Sequence, residues 1–362
     1  MKRVYINGRF LTQPLSGMQR FAGEMVTAID LLLSEDKALA SRLRFEVLLP
    51  RGPRRAAHWR NIPVTETGRL KGHAWEQVEL AWAARDGILV NLAAAGPLAH
   101  RRSVLVLHDA AIFAHPEHFS LPYRSLHRFL RPRLARAAAR LATISEFSRR
   151  ELAKWCGVSE SAFAIIGDSA EHILDEAADT GILERHGLVP GRYALTVGNQ
   201  SPNKNIALAL SAFVESGAGD WLLAVAGGGS DKIFGGVAVD SHPAVRRLGR
   251  VSDGELRALY ENAGMFLFPS RYEGFGVPPL EAMILGCPVI SADATAMPEV
   301  LGDAAVYFRS DDSNDLARQI SDLRENGELR AALAAAGKQR ASDFSWRKSA
   351  GIMVGLLDGL ER

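Results

Sequence analysis

The sequence contains very little cysteine. Cys156 and Cys287 are the only two among 362 residues, and they lie in different halves of the chain. Two isolated cysteines cannot build a disulfide framework or a thiolate zinc cluster, so both kinds of scaffold are excluded. A chain that does not depend on disulfides is typical of a reducing compartment, and we expect a cytoplasmic protein.

Long hydrophobic runs are absent as well. No stretch approaches the roughly 20 consecutive apolar residues that a membrane-spanning helix needs. The first ten residues, MKRVYINGRF, have basic side chains but no apolar run behind them, so we expect no secretory signal. The composition, 47% apolar and 23% charged, is instead typical of a globular protein with full hydrophobic cores.

Acidic residues are scarce in the first half of the chain, although the net charge of the whole is only +2. Residues 1–170 contain 25 Lys and Arg but 15 Asp and Glu, a net charge of +10, and the remainder has a net charge of −8. The basic segments RGPRRAAHWR and YRSLHRFLRPRLARAAAR can be a solvated surface, a nucleic-acid site or a docking site for anionic lipid. No aromatic-interleaved or zinc motif accompanies them, so we expect no nucleic-acid partner.

The second basic segment can form an amphipathic helix that lies on an anionic membrane surface. Pro132 would kink or restart this helix. The predicted apolar side consists of five residues: Leu126, Phe129, Leu130, Leu134 and Leu141. The pattern favours peripheral binding at the inner face of the cell membrane, with a purely solvated surface as the alternative.

Short apolar runs alternate with longer helical patterns along the chain. The predicted strands of the first half are RVYI, FEVLLP, GILVN, SVLVLHD, LATIS and FAIIG. Those of the second half are YALTVG, WLLAVAG, MFLFPS, CPVIS and AAVYF. This alternation predicts an α/β protein with two buried parallel sheets, in domains at about 1–170 and 175–345. Ligands of such sheets bind beyond the carboxyl ends of the strands.

The segment SRYEGFGVPPLEAMILGCPVIS follows one of the predicted strands. Its glycine turn leads into a helix that Pro278 and Pro279 start, with Glu281 in the first turn. Such a helix N-terminus favours an anion, typically phosphate. The carboxylates of Glu273 and Glu281 would repel phosphate but suit sugar hydroxyls, so the segment indicates a sugar-nucleotide site. The structural alternative is that the helix dipole stabilises Glu281 and that Glu273 is a solvated loop residue.

The longer segment SRYEGFGVPPLEAMILGCPVISADATAMPEVLGDAA resembles the two-glutamate signature of retaining glycosyltransferases of family 4. INGRFLTQPLSGMQRFA, LHDAAIF and ATISEFSRREL resemble motifs of the first domain in that family. VGNQSPNKNIALALSAF, VAGGG and LGRVSDGELRALYENAGMFLFPS resemble motifs of the second domain, and FSWRKSAGIMVGLLDGL resembles the terminal helix. The resemblance implies the GT-B fold, which has two facing Rossmann-like domains and a terminal helix, here 346–362, that returns to the first domain.

The resemblance also implies a role for each matching residue of the second domain. Glu273 would hold the hydroxyls of the donor sugar, Glu281 would bind the nucleotide ribose, and Lys204 would contact the diphosphate. A fixed cation at that place stabilises the charge that develops on the leaving group. Backbone contacts to the sugar, the phosphates and the base would come from Gly274, Phe275, Gly276, Val277, Arg250 and Val251.

In the first domain, the resemblance places His108 near the donor sugar, as a third catalytic residue beside Glu273 and Lys204. The glycine at Gly17 would let backbone amides approach the donor phosphates. Asp109 would orient the histidine or bind the acceptor, and Arg20 would add positive charge on the acceptor side.

The sequence departs from the family pattern at two positions near the predicted diphosphate site. Many members have arginine where this chain has Asn199, a candidate donor contact, and Asn203. The missing positive charge would have to come from Arg271 or from an arginine of the first domain.

We expect no metal and no cofactor besides the sugar nucleotide. The acidic run DDSND at 311–315 is typical of a turn with helix N-caps. The three glycines at 227–229 lack the lysine and the hydroxyl of a triphosphate-binding loop. The resembled family needs no divalent metal.

The resemblance implies a hexosyltransferase that retains the anomeric configuration of the donor. The first-domain pattern is similar to that of bacterial mannosyltransferases of exopolysaccharide and lipopolysaccharide assembly. This similarity implies GDP-mannose as the donor and a glycan or a polyprenyl-diphosphate-linked oligosaccharide as the acceptor. The alternatives are a UDP-sugar or another donor, a sugar-nucleotide epimerase, and a sugar-nucleotide-binding protein without catalytic activity.

Overall fold

The structure is a computed structural model that describes residues 1–198, 201–217, 219–228 and 242–360. The chain divides into two compact units. Unit 1 consists of Met1–Asp168 together with Trp346–Arg362, and unit 2 consists of Ser169–Ser345. Each unit is built on its own parallel β-sheet.

Unit 1 contains a seven-stranded sheet in the order β3-β2-β1-β4-β5-β6-β7, in which all neighbouring strands are parallel. The strands are Lys2–Asn7 (β1), Leu43–Leu49 (β2), Val64–Glu66 (β3), Ile88–Asn91 (β4), Ser103–Val106 (β5), Arg140–Thr143 (β6) and Phe163–Ile165 (β7). The strands β4 and β5 are buried along their whole length, as expected for central strands of a parallel sheet. Six of these strands correspond to the predicted apolar runs, and the edge strand β3 was not predicted.

The helices of unit 1 are Gly17–Glu35 (α1), Lys37–Arg42 (α2), Gly72–Ala74 (α3), Ala81–Ala83 (α4), Ala111–Ala114 (α5), Leu121–Ala137 (α6), Glu146–Cys156 (α7) and, from the end of the chain, Trp346–Asp358 (α15). A π-helical segment, Trp75–Leu80, joins α3 to α4. Helix α15 packs on α1, where the rings of Trp346 and Phe21 lie 5.5 Å apart.

Unit 2 contains a six-stranded parallel sheet in the order β10-β9-β8-β11-β12-β13. The strands are Tyr193–Val197 (β8), Leu222–Ala226 (β9), Val245–Gly249 (β10), Met265–Phe268 (β11), Val289–Ala292 (β12) and Ala305–Phe308 (β13). The helices are Gly181–His186 (α8), Ile206–Glu215 (α9), Asp253–Asn262 (α10), Val277–Ile284 (α11), Met297–Leu301 (α12), Ser313–Glu325 (α13) and Gly327–Ala341 (α14). Five of these strands correspond to the predicted apolar runs, and the edge strand β10 was not predicted.

Helix α9 illustrates how the sequence produces this packing. Its residues Ile206, Ala209, Leu210 and Phe213 recur at the helical period, and all four are buried in the core that includes Leu223 of β9. Burial of a side chain as large as phenylalanine contributes roughly 1.5–3 kcal/mol. The prediction of an α/β protein with two parallel sheets is confirmed.

The observed helix α6 differs from the predicted amphipathic helix. The helix runs through Pro132, so it does not restart there. Leu141, which was predicted on its apolar side, lies in β6 because α6 ends at Ala137. Among the residues that the structure describes, no helix is both long enough and apolar enough to cross a membrane.

The buried side of α6 also differs from the prediction, because it takes in two basic residues. This side consists of His127, Leu130, Arg131, Leu134 and Ala135. Leu126 and Phe129, which were predicted on the same side as Leu130, are instead 40% and 54% exposed. The helix therefore presents apolar side chains both to the core and to solvent.

Candidate active site

Each sheet has a switch point, where the chain leaves two neighbouring strands towards opposite sides of the sheet. In unit 2 this point lies between β8 and β11, which are paired in parallel. Lys204 follows β8 and Glu273 follows β11. The topology of unit 2 therefore brings these two predicted residues to the same edge.

Lys204 and Glu273 form an ion pair. Nζ lies 2.6 Å from Oε1, and the side chains are only 19% and 16% exposed. The hydroxyl of Ser270 donates to the same oxygen, and the amide of Glu273 donates to Oγ1 of Thr295 at 3.1 Å. The second oxygen, Oε2, accepts no hydrogen bond from the described residues, so it is open to a hydroxyl group of a ligand.

The glycine turn before α11 depends on one residue, Gly276. This residue is the N-cap of α11 and has a φ of 98°, and a Cβ atom there would lie 2.4 Å from Cε of Met297. The side chain of Phe275 packs at right angles to the ring of Phe344, so it belongs to the core. Gly274 is buried as well, and Val277 is the first residue of α11.

Glu281 lies in the second turn of α11, not in the first turn as predicted, because the helix begins at Val277. Nε2 of His172 donates to Oε1 at 2.8 Å, and the hydroxyl of Tyr260 donates to Oε2 at 3.0 Å. Burial, together with the Glu281 charge, raises the pKa of Tyr260 well above its ordinary value, so the hydroxyl remains a donor. Two buried donors fix this carboxylate, while each oxygen keeps a lone pair for a ligand hydroxyl.

The loops after β8, β9 and β10 approach one another closely. A Cβ atom at Gly227 would lie 1.9 Å from the carbonyl oxygen of Gly198, and one at Gly228 would lie 2.7 Å from Cγ of Arg250. Arg250 is exposed and Val251 is half-buried, and both lie between β10 and α10. The predicted contacts to the base therefore share one edge of the sheet with Lys204, whereas Asn199 and Gly229 lie outside the described residues.

Asn203, one of the two asparagines that replace arginines of the family pattern, has a structural role here. Nδ2 of Asn203 donates to the carbonyl of Tyr272 at 3.4 Å, and its own carbonyl accepts from the amide of Arg271 at 2.8 Å. The Arg271 guanidinium pairs with Asp311, with Nε 2.5 Å from Oδ1. Arg271 thus already has a carboxylate partner, and it would have to leave this partner to serve a phosphate.

The acidic run at 311–315 forms the turn and the helix cap that the sequence predicts. Asp312 is the N-cap of α13, and its carboxylate accepts from the amide of Asp315 at 2.9 Å. Asp311 has a φ of 65°, which places it in the left-handed region of a turn.

In unit 1, two of the predicted residues lie near the start of α1. Gly17 is the first residue of α1 and is exposed, and no atom lies within 4 Å of the position that a Cβ would take. Arg20 follows one turn later and is half-buried. Phe21 of the same helix contacts the ring of His108, with the ring centroids 4.6 Å apart.

His108 and Asp109 lie just beyond β5, but they do not form a pair. Nε2 of His108 donates to the carbonyl of Leu92 at 2.8 Å, and burial lowers the pKa of this imidazole, which keeps it neutral. Oδ1 of Asp109 accepts from the amide of Ala111, the first residue of α5, at 2.8 Å, so this carboxylate is directed to the helix and does not orient the histidine.

Several residues that contact the candidate site were not predicted from the sequence. His172 and Tyr260 hold Glu281, and Ser270 and Thr295 hold Glu273. In unit 1, Glu76 was not predicted either, although its carboxylate is only 1% exposed. The buried glutamate lies on a π-helical segment, a feature that is frequent at functional sites, but the sequence gives no signal for such a segment.

Comparison with known proteins gives one match to a family model, that of the group 1 glycosyltransferases, over residues 184–340. The chain is also 32% identical to O-antigen chain mannosyltransferase B of Escherichia coli over 289 residues. This alignment spans 74% of the chain and 73% of that protein.

Two solved structures share the fold over almost the whole chain. Sucrose-phosphate synthase from Thermosynechococcus elongatus has a TM-score of 0.76 at 15% identity, and the alignment covers 99% of both chains. HepE from Anabaena, in complex with UDP and glucose, has a TM-score of 0.72 at 17% identity, covering 99% of this chain and all of that one. These likenesses confirm the predicted GT-B fold.

Proposed function

Because the chain belongs to the group 1 glycosyltransferases, we propose that it is an α-mannosyltransferase that uses GDP-mannose and retains the anomeric configuration. The proposed acceptor is a glycan or a polyprenyl-diphosphate-linked oligosaccharide of a cell-surface polysaccharide. The observation that carries this proposal is the 32% identity to an O-antigen chain mannosyltransferase. The ion pair of Lys204 and Glu273 at the switch point of unit 2 supports it.

In the proposed reaction, the bond between C1 of mannose and the diphosphate oxygen breaks, and the acceptor hydroxyl forms a new bond to C1 on the same face. The hydroxyl proton passes to an oxygen of the departing diphosphate. Lys204 stabilises the negative charge that grows on this leaving group. Oε2 of Glu273 accepts from a sugar hydroxyl, and Glu281 accepts from the ribose.

The donor is tested by thermal-shift titration with GDP-mannose, GDP-glucose, UDP-glucose and ADP-glucose, since a ligand that binds only the folded state raises the melting temperature. We expect the largest shift with GDP-mannose. Incubation with that donor and a mannose-terminated oligosaccharide should then give an α-linked product by NMR. A preference for UDP-glucose, or a product of inverted configuration, would contradict the proposal.

The exposed side of α6 supports peripheral binding to the inner face of the cell membrane as a further part of this proposal. Leu121, Leu126 and Phe129 are 64%, 40% and 54% exposed on this helix, and Arg128 and Arg136 are exposed beside them. Apolar side chains flanked by basic ones suit an anionic lipid surface, where each well-placed Lys or Arg adds roughly 1 kcal/mol.

Cosedimentation with vesicles tests this surface. We expect binding to vesicles that contain phosphatidylglycerol, weaker binding in high salt, and little binding to pure phosphatidylcholine. The double variant Leu126→Ser, Phe129→Ser should lose most of the binding without a change in melting temperature. Undiminished binding of the folded double variant would rule out α6 as the docking helix.

A further inference from the structure

Unit 1 contains a buried guanidinium group that has no counter-charge among the described residues. Arg131 of α6 is only 5% exposed. Its Nη1 donates to the carbonyl of Asp109 at 3.2 Å, Nε has no hydrogen-bond partner, and the side chain forms no ion pair with any described residue. A buried charge without a partner costs several kcal/mol, so this position calls for a specific reason.

His127, one turn earlier on α6, is a second buried basic residue without a hydrogen-bond partner at Nδ1. The side chain lies between two rings, with its centroid 4.2 Å from that of Tyr123 and 5.4 Å from that of His73. Burial, with the nearby charges of Arg131, His73 and Arg9, lowers the pKa of His127 to about 4. Four basic side chains are thus close to one another, and we call them the basic cluster: Arg9, His73, His127 and Arg131.

The carboxylate next to the basic cluster already has close polar contacts on both of its oxygens. Glu76 has one oxygen 2.8 Å from Nε of Arg9 and 2.9 Å from Nδ2 of Asn7, and the other 2.8 Å from Nδ1 of His73. These contacts outweigh the effect of burial and lower its pKa. Glu76 therefore neutralises part of the cluster and leaves the charge of Arg131 uncompensated.

The position of the cluster points to a ligand. Asn7 ends β1, and Asp109, whose carbonyl accepts from Arg131, follows β5. The cluster thus lies at the carboxyl edge of the sheet, where parallel sheets bind ligands. Guanidinium groups bind phosphate oxygens through paired N–H donors, and neutral or protonated imidazoles add further donors.

We propose that the basic cluster is a phosphate-binding site of unit 1 and that its ligand is the diphosphate group of the lipid-linked acceptor. Arg131 provides the uncompensated charge, while Glu76 fixes Arg9 and His73. This assignment of the ligand rests on the proposed transfer to a diphosphate-linked acceptor. The presence of an anion site at the cluster does not depend on it.

Calorimetric titration with inorganic pyrophosphate tests the site on the full chain, with the nucleotide that gave the largest thermal shift present in excess to occupy the site in unit 2. We expect wild-type protein to bind pyrophosphate and Arg131→Met to bind it about tenfold more weakly. The matched control is Arg133→Met, two residues along the same helix, where the exposed guanidinium lies 3.5 Å from the centroid of the Phe129 ring. This control should bind pyrophosphate as tightly as wild type does.

Equal affinity of Arg131→Met and wild type, with both melting normally, would overturn the proposal, as would no pyrophosphate binding by wild type. If Arg131→Met does not fold, Arg131→Lys keeps the charge and loses the paired donors, and unchanged affinity in that variant counts against the site. None of these outcomes depends on mannose transfer, so the site and the proposed function fail separately.

Two further measurements identify the source of the phosphate. With a diphosphate-linked acceptor, Arg131→Met should raise the KM for the acceptor and leave the KM for the sugar nucleotide unchanged. Loss of binding to phosphatidylglycerol vesicles in Arg131→Met, with the acceptor KM unchanged, would assign the phosphate to a membrane lipid and overturn the acceptor assignment.

Discussion

The carboxylates of Glu273 and Glu281 are held in different ways, although they flank the same turn. Glu273 has one oxygen bound by Lys204 and by Ser270, and its other oxygen accepts nothing from the part of the chain that the structure describes. Glu281 has one donor on each oxygen and is buried. Because an open oxygen can bind a ligand directly and a fixed carboxylate provides a rigid surface, the two residues suit different groups of a sugar nucleotide.

We expect Lys204→Met to lower kcat/KM by about 10²–10³-fold, because the variant loses a cation that stabilises the leaving diphosphate. The melting temperature should also fall, because the Glu273 carboxylate, whose side chain is only 16% exposed, loses its cationic partner. Steady-state transfer kinetics measure the effect. The matched control is Lys338→Met, an exposed lysine of unit 2, which should retain wild-type kcat/KM. Unchanged kinetics in Lys204→Met would remove this residue from the active site.

Tyr260→Phe should weaken GDP binding by about fivefold to tenfold, because the Glu281 carboxylate loses one of its two fixed donors. Calorimetric titration with GDP measures this change. Tyr193→Phe is the control, since that hydroxyl is also buried but donates to the carbonyl of Leu259 at 2.6 Å. The control should lower the melting temperature and leave the GDP affinity unchanged. The same affinity in both variants would show that Tyr260 does not position Glu281.

At the scale of the elements, apolar patterns predicted the central strands and the edge strands β7 and β13, whereas the edge strands β3 and β10 escaped prediction. Strand β3 has the sequence Val-Thr-Glu and strand β10 has Val-Arg-Arg-Leu-Gly, and neither is fully buried. Each of these two strands has one neighbouring strand and keeps contact with water, so polar residues are tolerated there and no apolar run forms. Helix α6 itself was predicted, but its buried side was not, because that side holds the basic residues His127 and Arg131.

The start of α11 gives a prediction at this scale. Gly276→Ala should destabilise unit 2 by about 1–3 kcal/mol, since a positive φ strains any other residue and the new methyl group must displace Met297. Urea unfolding measures the change. Gly351→Ala in α15 is the control, because nothing lies within 4 Å of its Cβ position and alanine favours a helix. Equal stability of Gly276→Ala and wild type would show that the turn tolerates a side chain.

At the scale of the whole molecule, the positive charge of the first half of the chain is not confined to the surface. The first half of the sequence has a net charge of +10, and the structure places part of this charge inside unit 1, at Arg9 and Arg131. The groups that face His127 are Arg131, Arg9, His73 and the carboxylate of Glu76. Three of these four disfavour a proton on His127, so the stability of unit 1 depends on pH.

We expect the free energy of unfolding to fall as the pH is lowered from about 6.5 to about 4, by up to about 3 kcal/mol from His127 alone. The folded-state pKa lies below the unfolded value, so between these two values the unfolded chain binds more protons. Urea unfolding followed by tryptophan fluorescence reports mainly on unit 1, which contains five of the six tryptophans. His127→Gln should lose this part of the pH dependence. A variant with the same pH profile as wild type would contradict the assignment of this effect to His127.

The sequence by itself determined the fold class, the two sheets and the identity of the Lys204, Glu273 and Glu281 side chains, because apolar periodicity and a contiguous motif are local properties. Only the tertiary structure decided which groups hold those side chains. His172 lies 109 residues from Glu281, and Lys204 lies 69 residues from Glu273. It also decided that Asp109 accepts from the first amide of α5 and that Arg131 is buried without an ion-pair partner among the described residues. Such pairings depend on how distant strands order themselves in a sheet, which no local pattern specifies.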